Sequence, residues 1–530
     1  MFDILIHGCT VIDGTGAPAQ RCDVGIIGDT IAAVGMLQGG QAREFVDARD
    51  MHICPGFIDM HGHSDFNMLV QPPGRGKIMQ GITTEIAGNC GLSAAPLLDA
   101  ARAQREKSIK NLGLELCWTH LDDFAETVKT KKLLCHMAPL IGHGNIRGSV
   151  VGYGNRQPTP DEIHTMKRLL TRQMEAGAWG LSTGLIYPPG MYAARQEIIG
   201  LAEIAARFGG IYTSHMRSEG DQLVEAIAET LDVGRSAGIP VQISHLKTQG
   251  KRNWHKLPAV FELIEKARAG GMAVFADRYP YTASSTGLDV VFPAWACEGG
   301  NAAELERLQS PAVRERIYAE ILERMTEVEL ARDILIAKVM TENNKALEGL
   351  RLGAAAELRG QSIGEALFSI LTEEELDVDA VFFSMCEDNL REILLKDYVM
   401  IGTDASVWDS QGVLGAGKPH PRAFGSFPRV LRKYVFEQKL LSLENAVYKM
   451  TGLPARTIGL ADRGIIRKSM KADLVLVRMD DVHDRADYAD PHRYPAGISR
   501  VMVEGIWEVM EGQLTGNNAG RLLLKKQVLR

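Results

Sequence analysis

Residues 210–247 read "GIYTSHMRSEGDQLVEAIAETLDVGRSAGIPVQISHLK". An apolar run ends in His215, a helical segment follows ("DQLVEAIAETLDVGRSAG"), and a second apolar run ends in His245. A strand, a helix and a further strand at this spacing form a unit whose two strands pair in parallel. One repeat separates the histidines, so they come to equivalent heights at the ends of adjacent strands. The same unit recurs on both sides. Further candidate strands are "GFIDMHGH", "GITTEIAGNC", "MAPLIGHGN", "AWGLSTGLIY", "AVFADRYPY" and "VMIGTDAS", with helical segments such as "PDEIHTMKRLLTRQMEAG" between them. Eight such strands predict an α/β fold, a (β/α)8 TIM-like barrel, over residues 55–454.

Two regions break the repeat. Residues 286–350 are charged and helical, and are read as an insertion after the seventh strand that serves as a lid. The apolar piece "VFFSM" at 381–385 has no place in the scheme. The chain ends, 1–54 and 455–530, carry alternating β segments such as "DVGIIGDTIAAVG" and "GISRVMVEGIWEVMEG", and are expected to build one small β-sandwich together.

Composition narrows the function. The chain has 530 residues, more than one compact core holds, and a net charge of −7 without a basic block. That balance argues against a nucleic-acid partner, and no apolar run is long enough to span a bilayer. The N-terminus "MFDILIHGCTVIDGTG" reads as a strand and not as a signal peptide. Eight cysteines without framework spacing fit a reducing compartment, so a cytoplasmic protein acting on a small molecule is expected. Nothing in the chain fixes its oligomeric state.

Function in such a barrel sits at the carboxyl ends of the strands. There the first strand offers His61 and His63, two residues apart and therefore on one face. The second offers Cys90, the fifth His215, the sixth His245 and the eighth Asp404. Alone, each has an ordinary role: a polar strand end, a small buried thiol, a helix N-cap. Six metal-capable residues at the ends of five strands together indicate a metal centre. His215, His245 and Cys90 match a zinc site with an open position, and His61, His63 and Asp404 an adjoining one.

With "PGFIDMHGH", the two later histidines and Asp404, the sequence resembles the amidohydrolase superfamily. "GITTEIAGNCGLSAAP", "YPYTASST" and "HPRAFGSFPRVL" are similar within it to the D-aminoacylase group, the N-acyl-D-amino-acid deacylases. The fourth strand, "GLSTGLIY", lacks the lysine that many relatives use as a ligand, as the cysteine variant requires. The resemblance implies a zinc-dependent amide hydrolase. Cys90, His215 and His245 then hold one tight Zn2+, while His61, His63 and Asp404 surround a second position that is weak or empty. Lys247, Tyr279, Ser285 and Arg422 match positions for the substrate carboxylate, and Asp404 the proton-transferring group. Asp65, Arg217 and Glu219 adjoin ligands and are candidates to orient them. Two departures stand out: Ser469 and Met470 in a sandwich turn, and a longer loop "SVWDSQGVLGAGK" before Arg422. The segment after Tyr279 has no Lys or Arg and offers Leu288, Val290, Val291, Phe292 and Trp295, so apolar or aromatic side chains are expected in the substrate. The alternatives are a dipeptidase acting on a C-terminal D-residue and a cyclic-amide hydrolase of the dihydroorotase or hydantoinase type.

Overall fold

The computed structural model describes residues 1–37 and 40–526. The α/β character expected from the repeat is present, and all eight candidate strands form. Phe57–Asp59, Ile82–Ala87 and His136–Pro139 pair in parallel as one sheet. Ile141–Gly142, Gly180–Gly184, Ile211–His215, Val241–Ile243, Val274–Arg278 and Val399–Ile401 pair in parallel, in that order, as another. Backbone bonds cross both seams between the sheets. On one side Leu140 N donates to Ala87 O (2.8 Å) and Trp179 N to Pro139 O (2.9 Å). On the other, Asp404 N donates to His61 O (2.7 Å) and His63 N to Ala405 O (3.1 Å).

The strands are buried on both faces, as parallel strands covered by helices must be. Helices such as Pro160–Glu175, Arg195–Arg207 and Leu223–Ala237 lay Met166, Leu170, Ile198, Leu201, Ile227 and Leu231 against Leu181, Tyr212, Val241 and Ile243. Thr159 caps the first of these helices in a capping box with Glu162, the signal written as "TPDE".

The chain ends meet in one nine-stranded sheet. His52–Pro55, from the N-terminal part, pairs antiparallel with Leu474–Val477, from the C-terminal part. Ile6, Val24, Ile53, Leu474, Met502 and Trp507 form its core. The tail departs from the expected grouping. Gly520–Leu523 runs back beneath the parallel strands, where Leu523 O accepts from Trp179 Nε1 at 2.6 Å.

The interruption is larger than residues 286–350. Ser284–Gly287, Asp379–Phe382 and Ile334–Lys338 make an antiparallel three-stranded sheet with Asp379–Phe382 in the middle. The first two residues of "VFFSM", Val381 and Phe382, therefore end its central strand. The helices Pro311–Leu322, Leu352–Arg359 and Ile363–Glu373 pack on it around Leu288, Phe292, Ile336, Leu367 and Phe382. The local pattern hid this boundary because the central strand follows its first partner by more than ninety residues.

Candidate metal centre

The strand ends bring the expected donors together. One group joins His61, Cys90, His245 and Asp404, and a second joins His215, Glu219 and His245; within each, the ligand atoms lie within 4.8 Å of one another. His61 Nε2 stands 3.2 Å from Cys90 Sγ and 3.5 Å from Asp404 Oδ1. Cys90 Sγ is 3.5 Å from His245 Nε2, and His63 Nε2 is 3.1 Å from Asp404 Oδ1. The division into two triplets is thus less sharp than the spacing predicts: His61 reaches the cysteine, and His245 belongs to both groups.

Cys90, His245 and Asp404 all adopt positive φ (53°, 35° and 51°), a left-handed conformation that non-glycine residues rarely take. Three such residues in one cluster place backbone strain where the side chains converge. Gly62 shows why the first strand end carries a glycine between its histidines. A Cβ there would lie 1.9 Å from Glu85 Oε1.

The donor set fits a divalent metal such as zinc. His215 is 4% exposed, and both its ring nitrogens lack a hydrogen-bond partner among the described residues. Glu219 Oε2 stands 3.8 Å from Nε2, and leaving two buried ring nitrogens without a hydrogen bond is costly unless something else binds them. Burial alone would raise the Cys90 thiol, but His61 and His245 beside it hold it well below the usual range, towards the thiolate that coordinates metal. Burial likewise opposes the charge on Asp404, yet Arg422, His245 and His63 keep that carboxyl well below the ordinary carboxylate range.

Around the donors lies an orienting layer. Asp277 accepts from His61 Nδ1 (3.1 Å to Oδ1) and from His245 N (2.9 Å), and Gln242 Nε2 braces it at 2.6 Å. Glu219 Oε1 faces His245 Nδ1 at 2.8 Å and also accepts from Lys247 Nζ. Asp65 accepts from Gly88 N (3.1 Å) and Ala94 N (3.0 Å), tying down the loop that carries Cys90. Arg217 does something else: it binds Glu229 and the carbonyls of Met191 and Ala193. Asp277 was absent from the sequence reading. Its signal was a carboxylate within the apolar strand "AVFADRY", at a position that has to be buried.

The donors open into a cavity of about 470 Å³. Lys247, Ser285 and Arg422 line it. Arg422 donates to Asp404 Oδ2 at 2.6 Å and to Ser285 O at 3.1 Å, so its guanidinium links the last strand to the inserted sheet. Tyr279 is placed differently from the expectation. It is fully buried outside the cavity wall, with its ring beneath Arg422 (4.7 Å) and Lys247 (5.9 Å). Arg278 stands nearer still, at 4.2 Å, so three cations rest on the ring's π face. Of the expected apolar residues Val290 and Phe292 line the cavity, beside Leu92 and Ile186 from elsewhere, while Leu288, Val291 and Trp295 pack in the inserted core. The cavity also holds charge: Asp289 from the segment after Tyr279 itself, and, from outside that segment, Arg105 of the helix Asp99–Asn111 and the carboxylate Asp379.

Comparison with known proteins places this arrangement. The model of an amidohydrolase family matches residues 44–356 and 396–506. The N-acyl-D-glutamate deacylase of Alcaligenes xylosoxydans xylosoxydans is 36% identical over 504 residues, 95% of this chain and 93% of that protein. The D-aminoacylase of the same organism is 35% identical over 528 residues, 99% of this chain and 98% of that protein. Among solved structures, an N-acyl-D-glutamate deacylase from Bordetella bronchiseptica, complexed with zinc and a phosphonate mimic of the tetrahedral intermediate, superposes with a TM-score of 0.84. It shares 33% identity, and the match covers 99% of each chain.

Proposed function

The chain belongs to the amidohydrolase family, and on that premise we propose that it hydrolyses N-acyl-D-amino acids to a carboxylic acid and a free D-amino acid. The observation that carries this reading is the convergence of Cys90, His215, His245, His63 and Asp404 on one cavity whose wall also presents Lys247 and Arg422. The first set serves amide hydrolysis, and the two cations match the free carboxylate beside the scissile bond of an N-acyl amino acid.

The two parallel sheets are read as one closed (β/α)8 barrel, supported by the backbone bonds across both seams. The sheet built from both chain ends is read as a separate domain, and the inserted sheet as a lid over the cavity, supported by its residues Ser285, Ala337 and Phe382 in the wall.

Cys90, His215 and His245 would hold one tight zinc, with His61, His63 and Asp404 around a weaker second position. Bound there, zinc supplies Lewis acidity that polarises the amide carbonyl and acidifies water. The chain's own residues do the rest. Asp404 Oδ1 faces the donor cluster, where it can take a proton from water and return it to the departing amine. Arg422 and Lys247 hold the substrate carboxylate, the first through a planar fork and the second as a point charge. His63 Nε2 lies 3.1 Å from Asp404 Oδ1. It keeps the carboxylate turned towards the cluster.

The substrate side chain is read as apolar or aromatic, against the wall of Leu92, Ile186, Val290 and Phe292. Asp289 and Asp379 in the same wall disfavour an acidic side chain, and Arg105 favours one. A panel of N-acetyl-D- and N-acetyl-L-amino acids, with D-dipeptides and hydantoins beside them, tests the reading. Zinc-dependent release of D-leucine, D-methionine or D-phenylalanine is expected. Activity confined to L-substrates or to hydantoins contradicts it.

A further inference from the structure

Behind the donors lies a buried charge network that the steps above do not use. Lys77 is 1% exposed and lies outside the cavity wall. Its ammonium donates to Asp59 Oδ2 at 2.5 Å, to Thr403 Oγ1 at 2.7 Å and to Ala405 O at 2.8 Å, which uses all three protons. Asp59 in turn accepts from Thr403 N (2.8 Å), from Thr403 Oγ1 (2.7 Å) and from His61 N (3.2 Å). The groups so bonded sit on both sides of Asp404 and two residues before His61.

The adjoining contacts run the same way. Glu85 lies 3.6 Å from Lys77 and accepts from Ser64 N (2.9 Å) and Ser64 Oγ (2.7 Å), while Ser64 Oγ accepts from Val407 N (2.7 Å). Ser64 thus ties the exit of the first strand to Glu85 of the second strand and to Val407 beyond the last. Asp404 itself sits at φ 51°, a conformation that persists only where its surroundings over-determine it. Thr403 supplies that surrounding from one side: its hydroxyl accepts from Lys77 and from Ala405 N (3.2 Å) and donates to Asp59.

We propose that Lys77 and Thr403 are positioning residues for the hydrolysis, which through Asp59 set where the Asp404 carboxylate stands relative to His61 and His63. The inference rests on the function proposed above. Neither residue touches the cavity, so their loss acts on the placement of Asp404 and not on the grip on substrate. The strongest variant, Lys77→Met, leaves Asp59 and Glu85 buried without a cation, and its failure to fold is an expected outcome. Thr403→Val is the working variant, because it keeps the shape and branching of the side chain and removes only the hydroxyl. Thr403→Ser restores the hydroxyl.

The experiment measures kcat, KM and zinc per chain for zinc-loaded wild type, Thr403→Val and Thr403→Ser on the best N-acetyl-D-amino acid. Thr403→Val is expected to lose about 10- to 100-fold in kcat, the scale of outer-layer partners, with KM within about threefold and the tight zinc retained. Thr403→Ser is expected to recover most of the loss. A Thr403→Val enzyme that melts earlier but keeps its kcat assigns a purely structural role and overturns the inference alone. A wild type inactive on every N-acyl-D-amino acid overturns the proposed function, and this inference with it.

Discussion

The mouth of the parallel strands and the inserted sheet both bury charge, with opposite results. At the mouth, Lys77 stands against Asp59 and Glu85, Arg422 against Asp404, and Lys247 against Glu219. In the insertion, Glu304 is 3% exposed and its Oε1 has no hydrogen-bond partner among the described residues. Burial first, and then the neighbouring Asp289, push its carboxyl up to about 8, and burial with Asp379 pushes Asp289 up to about 6. A low-dielectric interior favours ionised groups only where a partner is fixed beside them. The mouth fixes those partners because its donors have to stay charged and oriented. The insertion lets Glu304, packed away from the cavity, keep its proton.

Four expected outcomes sharpen or break this contrast. The largest lies at the mouth. Asp404→Ala should lower kcat by about 10²- to 10⁴-fold, the range of a positioned acid-base group, in steady-state assays with zinc in excess. Cys90→Ala should lose the tight zinc and hydrolysis together, as read by elemental analysis. A variant with full metal and full rate would remove Cys90 from the ligands. Glu219→Gln keeps the shape but loses the charge facing His245 and Lys247, and should weaken zinc about 10- to 100-fold in chelator competition.

The smallest effect lies in the insertion and concerns pH. Glu304 has a folded pKa raised from 4.5 to about 8, so the folded protein keeps a proton that the unfolded chain releases. Its contribution is therefore fully present below about pH 4.5 and is lost as pH rises towards 8. Between pH 5.5 and 8.5 the wild type should lose roughly 1–3 °C of melting temperature more than Glu304→Gln does. Equal losses would show that Glu304 is paired in solution.

Much of this was legible in the sequence, and the gaps have physical causes. The eight parallel strands follow from local periodicity, and His61, Cys90, His215, His245 and Asp404 from their place at strand ends. Three features needed contacts distant in the chain. The central strand Asp379–Phe382 of the insertion pairs with Ser284–Gly287, so its role could not be read from "VFFSM" alone. Arg105 reaches the cavity from a helix nearly two hundred residues before the segment expected to supply the pocket. Asp277 looks like any strand carboxylate until His61, His245 and Gln242 are seen around it.

The most direct measurement compares initial rates on matched N-acetyl-D- and N-acetyl-L-amino acids for the zinc-loaded and the chelated protein, with zinc counted in each sample. The account predicts hydrolysis of the D-substrate that rises with the first zinc per chain and disappears on chelation. Hydrolysis that is indifferent to zinc, or confined to the L-substrate, would contradict it.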